Sequence, residues 1–441
     1  MIRWSRARLA LSVLTAEGFW ATLRERFQYA PTGLGKSAKA GPRATEMPGV
    51  PMFYDYAGAA HVHSTYSDGT GTIGEITAAA ARAGLDFILL TDHNSLDARI
   101  HGCETWHENG RVLMVVGTEV STDTGHLLAL DIPNEFLPAP HQAEEAMRHI
   151  QSLGGYGYIA LPCDLKDPWR DFTVRAPGIG IEVFNLSAIA RTKMNVPAFL
   201  LALLRYRGGR PLTAFSFVTA RPKRELMLWD SLLDESAERQ EPLPLALGSV
   251  DAHAVMKFGA KRYPFPTYEE VFRTLRTHIL TPEPLSNKVE YAKADLSQVH
   301  HALRAGHAYI SFDNYADPTG FIFEACREGE HVATMGDTCH HGVSHDRPLV
   351  LRARAPRSRS IIRLYRNGQL MASARGGALS FQVTEPGIYR AEAYLYHRRI
   401  GGICLGAQPW IFSNPLQVLS TPGPEVGSVS AGVTRGASES R

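Results

Sequence analysis

Residues 59–71 read AAHVHSTYSDGTG: a small apolar run closes on two histidines one residue apart, His61 and His63, followed by Asp68 beside Gly69. In a β-strand, residues i and i+2 point to the same face, so the two imidazoles can grip one ion between them. An isolated strand-end histidine is more often a hydrogen-bonded structural residue than a ligand, so the reading depends on partners elsewhere. From Met52 onward, apolar runs that read as strands (AGAAHVHS, DFILLTDHN, RVLMVVGTEVS, YGYIALP, GIGIEVFN, LPLALGSVDAH) alternate with helical patterns (GEITAAAARAGL, HQAEEAMRHIQSLG, NVPAFLLALLRYRG). Continuous apolar strands separated by helices indicate a parallel sheet covered on both faces. So many units favour a closed or nearly closed α/β barrel. Asp92 and His93, Glu119, and Asp251 and His253 end further strands, which puts them on the rim where the functional groups of such barrels converge.

The bulk composition narrows the partners. The chain has 441 residues, 46 basic and 44 acidic, for a formal charge of +2. That balance gives no field to attract nucleic acid or an anionic membrane, and small molecules are the expected partners. Five scattered cysteines with no Cys-x-x-Cys pair indicate neither a disulfide framework nor a zinc ribbon, and fit reducing, cytoplasmic surroundings. MIRWSRARLALSVLTAEGFW at the N-terminus reads as an amphipathic helix rather than a signal peptide, which leaves export open. No apolar stretch reaches the ~20 residues of a membrane span. Nothing in the sequence indicates an oligomeric state.

HVHSTYSDG, LLTDHN, VVGTEVS, GHLLAL and LGSVDAH, in this order between His61 and His253, resemble the PHP (polymerase and histidinol phosphatase) superfamily of metal-dependent phosphoesterases. The SDG form and the long C-terminal extension look like its carbaryl-hydrolase-like branch. The resemblance implies a distorted (β/α)7 barrel with up to three divalent ions. By resemblance, His61, His63, Glu119 and Asp251 hold the first ion, and Asp68, His93 and His253 the second. Glu119, His126 and a further histidine would hold a third. This chain departs from the family at that last position, where YIALPCD places Leu161. Leucine cannot coordinate a metal, and Cys163 and Asp164 are offset from the matching position. Two ions of zinc, manganese or iron are therefore expected, with a labile third.

Clustered divalent ions activate water and stabilise charge on ester oxygens, so the expected reaction is attack of metal-bound water on the phosphorus of a small phosphoester. Two other readings keep the same residues: a carbamate or carboxylic ester hydrolase, and a non-catalytic, metal-stabilised binding protein. His253 and His93 are candidates for proton transfer, although ligation argues against that duty. Arg191, Lys257, Lys261 and Arg262 are candidates for substrate binding by position. Asp92 is expected to orient a ligating histidine or to cap its loop, and Glu182 and Asn185 to face the same mouth. CHHGVSH at 339–345 reads as a loop. YEEVFRTLRTHIL and LSQVHHALRAGHAYISF read as helices leading into strands. Beyond residue 315 come short alternating strands, with an Asn-Gly hairpin in RNGQ, suggesting a small immunoglobulin-like β-sandwich. The expected organisation is an N-terminal helix and linker (1–50), the barrel (51–315), the sandwich (316–419) and a disordered tail (420–441).

Overall fold

The computed structural model describes residues 43–44, 53–134, 142–174, 176–193, 204, 219–258, 261–263, 265–342, 347–400 and 403–420. The N-terminal helix, most of the linker and the tail after Ser420 lie outside the described residues, as does NVPAFLLALLRYRG apart from Leu204. The molecule combines a mixed α/β region built on a large sheet with an all-β region that follows it. Among the described residues, no helix is long and apolar enough to cross a membrane.

The apolar runs become strands that are buried along nearly their whole length. Phe87–Leu90 and Val112–Val116 are buried at every position, and each fully buried aliphatic or aromatic side chain contributes about 1.5–3 kcal/mol. Helices cover them. Ile73–Ala83 is typical: Thr72 and Glu75 form a reciprocal capping box at its start, and Gly84 ends it with φ of 78°. That cap satisfies two backbone donors that the helix would otherwise strand, and the positive φ suits a residue without Cβ. A second covering helix, Lys223–Glu238, was not among the patterns read from the sequence. It buries Leu226, Trp229, Leu232 and Leu233, a 3.6-residue period hidden in a charged stretch.

Strand pairing sets where the strand ends meet. Tyr54–Val62 runs parallel to Phe87–Leu90 and to Ala246–Ala252. Phe87–Leu90 runs parallel to Val112–Val116, Ala246–Ala252 to Gly180–Asn185, and Gly180–Asn185 to Tyr156–Ala160. His126–Leu130 then pairs with both Tyr156–Ala160 and Thr118–Ser121. Thr118–Ser121 continues Val112–Val116 after Gly117, so the pairing order returns to its start.

The sheet is nonetheless not purely parallel. His126–Leu130 is antiparallel to both neighbours, and Arg276–Thr281 is antiparallel to Tyr54–Val62. For His126–Leu130 against Thr118–Ser121 the reason lies in the connection after Ser121: a tight turn, closed by Thr122 N–H donating to the Gly125 carbonyl. A parallel return needs a crossover of a dozen or more residues.

The later strands form two sheets around a common core that includes Phe321, Phe323, Leu351, Leu364 and Trp410. One has four strands, in the order Glu330–Thr334, Ile322–Arg327, Leu349–Arg354, Ala378–Gln382. The other contains Ser360–Arg366 and Gln369–Arg375, joined at Asn367 and Gly368 with φ of 45° and 73°, the two left-handed positions a two-residue hairpin requires. This second sheet continues into the α/β region, because Ala308–Ser311 pairs with Ile403–Ser413. Part of the stretch read as the CHHGVSH loop is a strand, Thr338–His340, paired with Leu416–Leu419; Gly342 ends what is described there.

Candidate metal centre

Five strand ends and the loops after them bring the sequence-predicted donors together. His61 lies in Tyr54–Val62 and His63 just beyond it, Glu119 in Thr118–Ser121, His126 at the head of His126–Leu130, and Asp251 near the end of Ala246–Ala252. His93 follows Phe87–Leu90 and bridges Glu119 through an isolated pairing. The simple i, i+2 alternation is not how the two first histidines converge. His61 has φ of 62° and Asp251 of 49°, and the strand register shifts at both. Left-handed backbone costs a non-glycine residue about 1–3 kcal/mol, and a bulge uses it to re-aim a side chain.

The loop carrying Asp68 is fixed from several sides. Asp92 accepts hydrogen bonds from Ser64 N (2.7 Å), Ser64 Oγ (2.6 Å) and Ser67 Oγ (2.5 Å). It therefore ties down the loop after His63, rather than its own. Tyr268 donates to the His63 carbonyl at 2.8 Å and accepts from Gly71 N at 3.1 Å. A Cβ on Gly69 would stand 2.3 Å from the His63 carbonyl oxygen, so this turn closes only with glycine.

Three groups of donors result: His61, His63 and Asp251; His63, Asp68, His93 and His253; and His93, Glu119 and His126. Glu119 Oε2 lies 3.0 Å from His61 Nε2, 3.2 Å from His63 Nε2 and 3.2 Å from His93 Nδ1. Asp68 Oδ1 is 2.9 Å from His253 Nε2 and 3.7 Å from His93 Nε2. Asp251 Oδ1 is 3.8 and 3.7 Å from the Nε2 atoms of His61 and His63. Ligands about 2.1 Å from one ion, at angles between octahedral and tetrahedral, stand roughly 3.0–3.4 Å apart; the Glu119 contacts fall in that range and Asp68–His253 next to it, while Asp68–His93 and the two Asp251 spacings are wider. His61 Nε2, both His63 nitrogens and His126 Nδ1 are buried without a directed hydrogen bond, although carboxylates stand within 4 Å. Ring nitrogens and carboxylate oxygens gather in common groups instead of pairing one to one.

Charge follows the same geometry. Burial works against the His61 cation, but Glu119, Glu182 and Asp251 carry its pKa well above the usual histidine value. Burial likewise opposes the Glu119 carboxylate, and the His61 and His63 rings hold its pKa well below the ordinary range. The hydrogen bond from His253 depresses Asp68 strongly. Burial lowers His93, keeping that ring neutral, the form that ligates a metal.

Glu182 and Asn185 stand behind the donors. Glu182 is fully buried and takes His61 Nδ1 at 2.7 Å, Leu161 N at 2.9 Å and Asn185 Nδ2 at 3.0 Å. A carboxylate on the far nitrogen fixes the tautomer that presents Nε2 inward. Leu161, with φ of 52°, is buried and packs into the apolar core. Asp164 is turned to Arg191 Nε at 2.9 Å. Arg191 also donates to Ser187 Oγ at 3.1 Å and stands 3.6 Å from Asp251 Oδ2, which brings it to the centre. Lys257, Lys261 and Arg262 lie on the hairpin Met256–Phe258 and Lys261–Tyr263, whose side chains are outside the described residues. The 339–345 motif joins no donor group among the described residues: His340 Nδ1 and His341 Nε2 face the carbonyls of Ser420 and Val383. Of the residues shaping the centre, Tyr268 and Ser64 were missed in the sequence. Tyr268 carries no sequence signal, and Ser64 only its place beside His63.

Residues 59–183 match the PHP domain family. No curated protein matches the chain. Among solved structures it is similar to a two-domain protein containing a predicted PHP-like metal-dependent phosphoesterase from Bacteroides vulgatus, at 13% identity, covering 81% of this chain and 95% of that one with a TM-score of 0.38. It is also similar to a protein called a metal-dependent phosphoesterase from Bifidobacterium adolescentis, at 14% identity, 44% and 87% coverage and a TM-score of 0.27. A third is an amidohydrolase from Chromobacterium violaceum with bound sulfate, at 16% identity, 48% and 92% coverage and a TM-score of 0.25. The PHP-domain match and the donor groups together support a metal-dependent hydrolase.

Proposed function

We propose that this chain hydrolyses small phosphoesters with divalent ions held by His61, His63, Asp68, His93, Glu119, His126, Asp251 and His253. In this reading, residues 51–315 form the distorted seven-stranded barrel and 316–419 an immunoglobulin-like sandwich beside it. The observation that carries the proposal is the set of buried imidazole nitrogens left without directed hydrogen bonds among converging carboxylates. Leaving such groups buried and unpaired costs about 1–3 kcal/mol each, and a cation removes that cost.

Bound divalent ions lower the pKa of water toward neutrality and offset charge building on ester oxygens. The chain's own residues do the rest. Glu182 orients His61 through Nδ1, and Asp92 with Tyr268 holds the loop that presents Asp68. Arg191, about a third exposed and held by Asp164, aims its guanidinium at the mouth, where a phosphate oxygen can take a further N–H. His93 and His253 belong to donor groups, and a ligated neutral ring keeps no lone pair for proton transfer, so the leaving-group proton comes from solvent. The test is protein loaded in turn with manganese, zinc and iron, assayed on aryl phosphates beside aryl carbamates and carboxylic esters. Phosphate cleavage that is lost in His61→Ala supports the proposal. An inert wild type with every metal and phosphate overturns it, and cleavage of only the other esters reassigns the bond.

A further inference from the structure

The eight donors are not equally placed. The His61 and His63 side chains are fully buried, whereas those of His93 and His126 are 31% and 24% exposed. Both groups that contain His93 therefore open toward solvent, since Asp68 and His253 are 44% and 21% exposed. The His93–Glu119–His126 group is also short of donors. Glu119 Oε2 is turned inward among His61, His63 and His93, which leaves Oε1 for the rim, 3.6 Å from His126 Nδ1. His126 Nδ1 is buried with no hydrogen-bond partner. His93 belongs to two groups, with Nε2 toward Asp68 and Nδ1 toward Glu119. A neutral imidazole has a single lone pair, the other nitrogen carrying a proton, so His93 cannot serve both at once. When it serves the four-donor group, the rim keeps two protein ligands. Leu161 follows Ala160, which pairs with His126, and it offers no donor; Asp164 is taken by Arg191 and by the backbone N–H groups of Lys166 and Asp167.

Charge points the same way. Three carboxylates, Asp68, Glu119 and Asp251, belong to the donor groups. Two divalent ions leave these groups at about +1 and a third raises them to about +3, an excess that partial burial makes costly. A dianion entering with the third ion restores the former balance and fills its open positions with oxygen, the ligand type hard divalent cations prefer.

We propose that the Glu119–His126 rim takes its divalent ion together with a phosphate-class dianion, so that the third ion and the substrate's phosphoryl group enter as a linked pair. The proposal rests on the hydrolase reading above and specifies how its substrate engages the centre. Linkage makes the effect reciprocal: phosphate raises ion affinity by the factor by which the ion raises phosphate affinity.

The experiment is equilibrium dialysis of the full chain against manganese(II), with and without inorganic phosphate, counting bound ions by elemental analysis. Two ions are expected without phosphate and three with it, the third-ion affinity rising about 5–150-fold, the usual span of such coupling. His126→Ala should stay at two ions in both conditions. A third ion bound equally well in both conditions by the wild type, or a count of two in both, overturns the proposal and leaves the hydrolase reading standing. So does a phosphate-linked third ion that survives in His126→Ala. Fewer than two ions in either condition overturns the hydrolase reading, and this proposal with it.

Discussion

One strand, Tyr54–Val62, carries a buried histidine cluster at each end, and the two are built to opposite rules. Near its start, Asp55 Oδ1 takes His278 Nδ1 at 2.8 Å, while Asp313 takes His278 Nε2 at 3.3 Å. The second oxygen of Asp55 accepts from Tyr309 Oη at 2.7 Å and Gly320 N at 3.0 Å. Arg276 pairs with Asp313 at 3.1 Å, so every ring nitrogen and carboxylate of this cluster has a partner. Near the other end, His61 Nε2 and both nitrogens of His63 have carboxylates within 4 Å and no directed bond to any. Burial is equal, since His61, His63 and His278 are all 0–1% exposed. What differs is whether the donors point at one another or at a shared point.

In the proposed reading, that difference separates a cluster that stabilises the fold from one prepared for a ligand. Buried polar groups in native proteins are almost always paired, and unpaired ones call for an explanation. At the Asp55 end the protein supplies the pairing itself. At the His61 end the same residue types are held apart by local backbone, the left-handed turns at His61 and Asp251. Backbone strain of this kind persists only where the surroundings enforce it, and here Glu182, Asp92 and Tyr268 do so.

The comparison can be broken most directly by truncating one histidine in each cluster. His61→Ala should abolish hydrolysis and lower bound metal, read by assay and elemental analysis, and because it strands the buried Glu182 carboxylate it should also lower the chelated protein's Tm, read by calorimetry. His278→Leu should leave hydrolysis and bound metal in place. It strands the Asp55 and Asp313 carboxylates, for which a loss of about 3–5 kcal/mol is expected, with metal content per folded molecule unchanged. A His278→Leu protein of wild-type stability would show that the paired cluster is not a stabilising device. A smaller effect is expected one layer out. Glu182→Gln keeps the shape but weakens the grip on His61 Nδ1, and should cost about 10–100-fold in metal affinity or turnover, measured by competition with a chelator.

The two clusters were not equally visible in the sequence. His61, His63, Asp68, His93, Glu119, Asp251 and His253 stood out because metal-capable residues recur at the ends of apolar runs, and the fold brings those ends together. Glu182 was noticed in GIEVFN without a role, since a single acidic residue in a strand does not say which histidine it will meet. Asp55 and His278 were invisible: they lie 223 residues apart, and their pairing follows from the antiparallel register of Arg276–Thr281 on Tyr54–Val62, which no local pattern encodes. The antiparallel His126–Leu130 escaped for a related reason. Its apolar content resembles that of the parallel strands, and only the shortness of the Thr122–Gly125 turn gives its direction away. Helix Lys223–Glu238 was obscured by charges that occupy its outer face.

pH gives the gentlest probe of the same contrast. Burial opposes the His278 cation, but Asp313 and Asp55 overcome it and push the pKa up to about 10. An unfolded histidine titrates near 6.5. Below that value both states carry the proton, and the cluster's contribution is fully present. Between about 6.5 and 10 the unfolded chain has lost a proton that the folded chain retains, so stability falls as pH rises, by up to about 1.4 kcal/mol per pH unit. His61 and His253 also have raised values in the metal-free protein and would add slopes of the same sign. Denaturant titrations of wild type and His278→Asn, both with metal bound, remove that shared part by subtraction. The difference in unfolding free energy should shrink steadily from pH 7 to pH 9. A difference that stays flat over that range means His278 is neutral in the folded protein, and the paired cluster then holds its shape by hydrogen bonds alone.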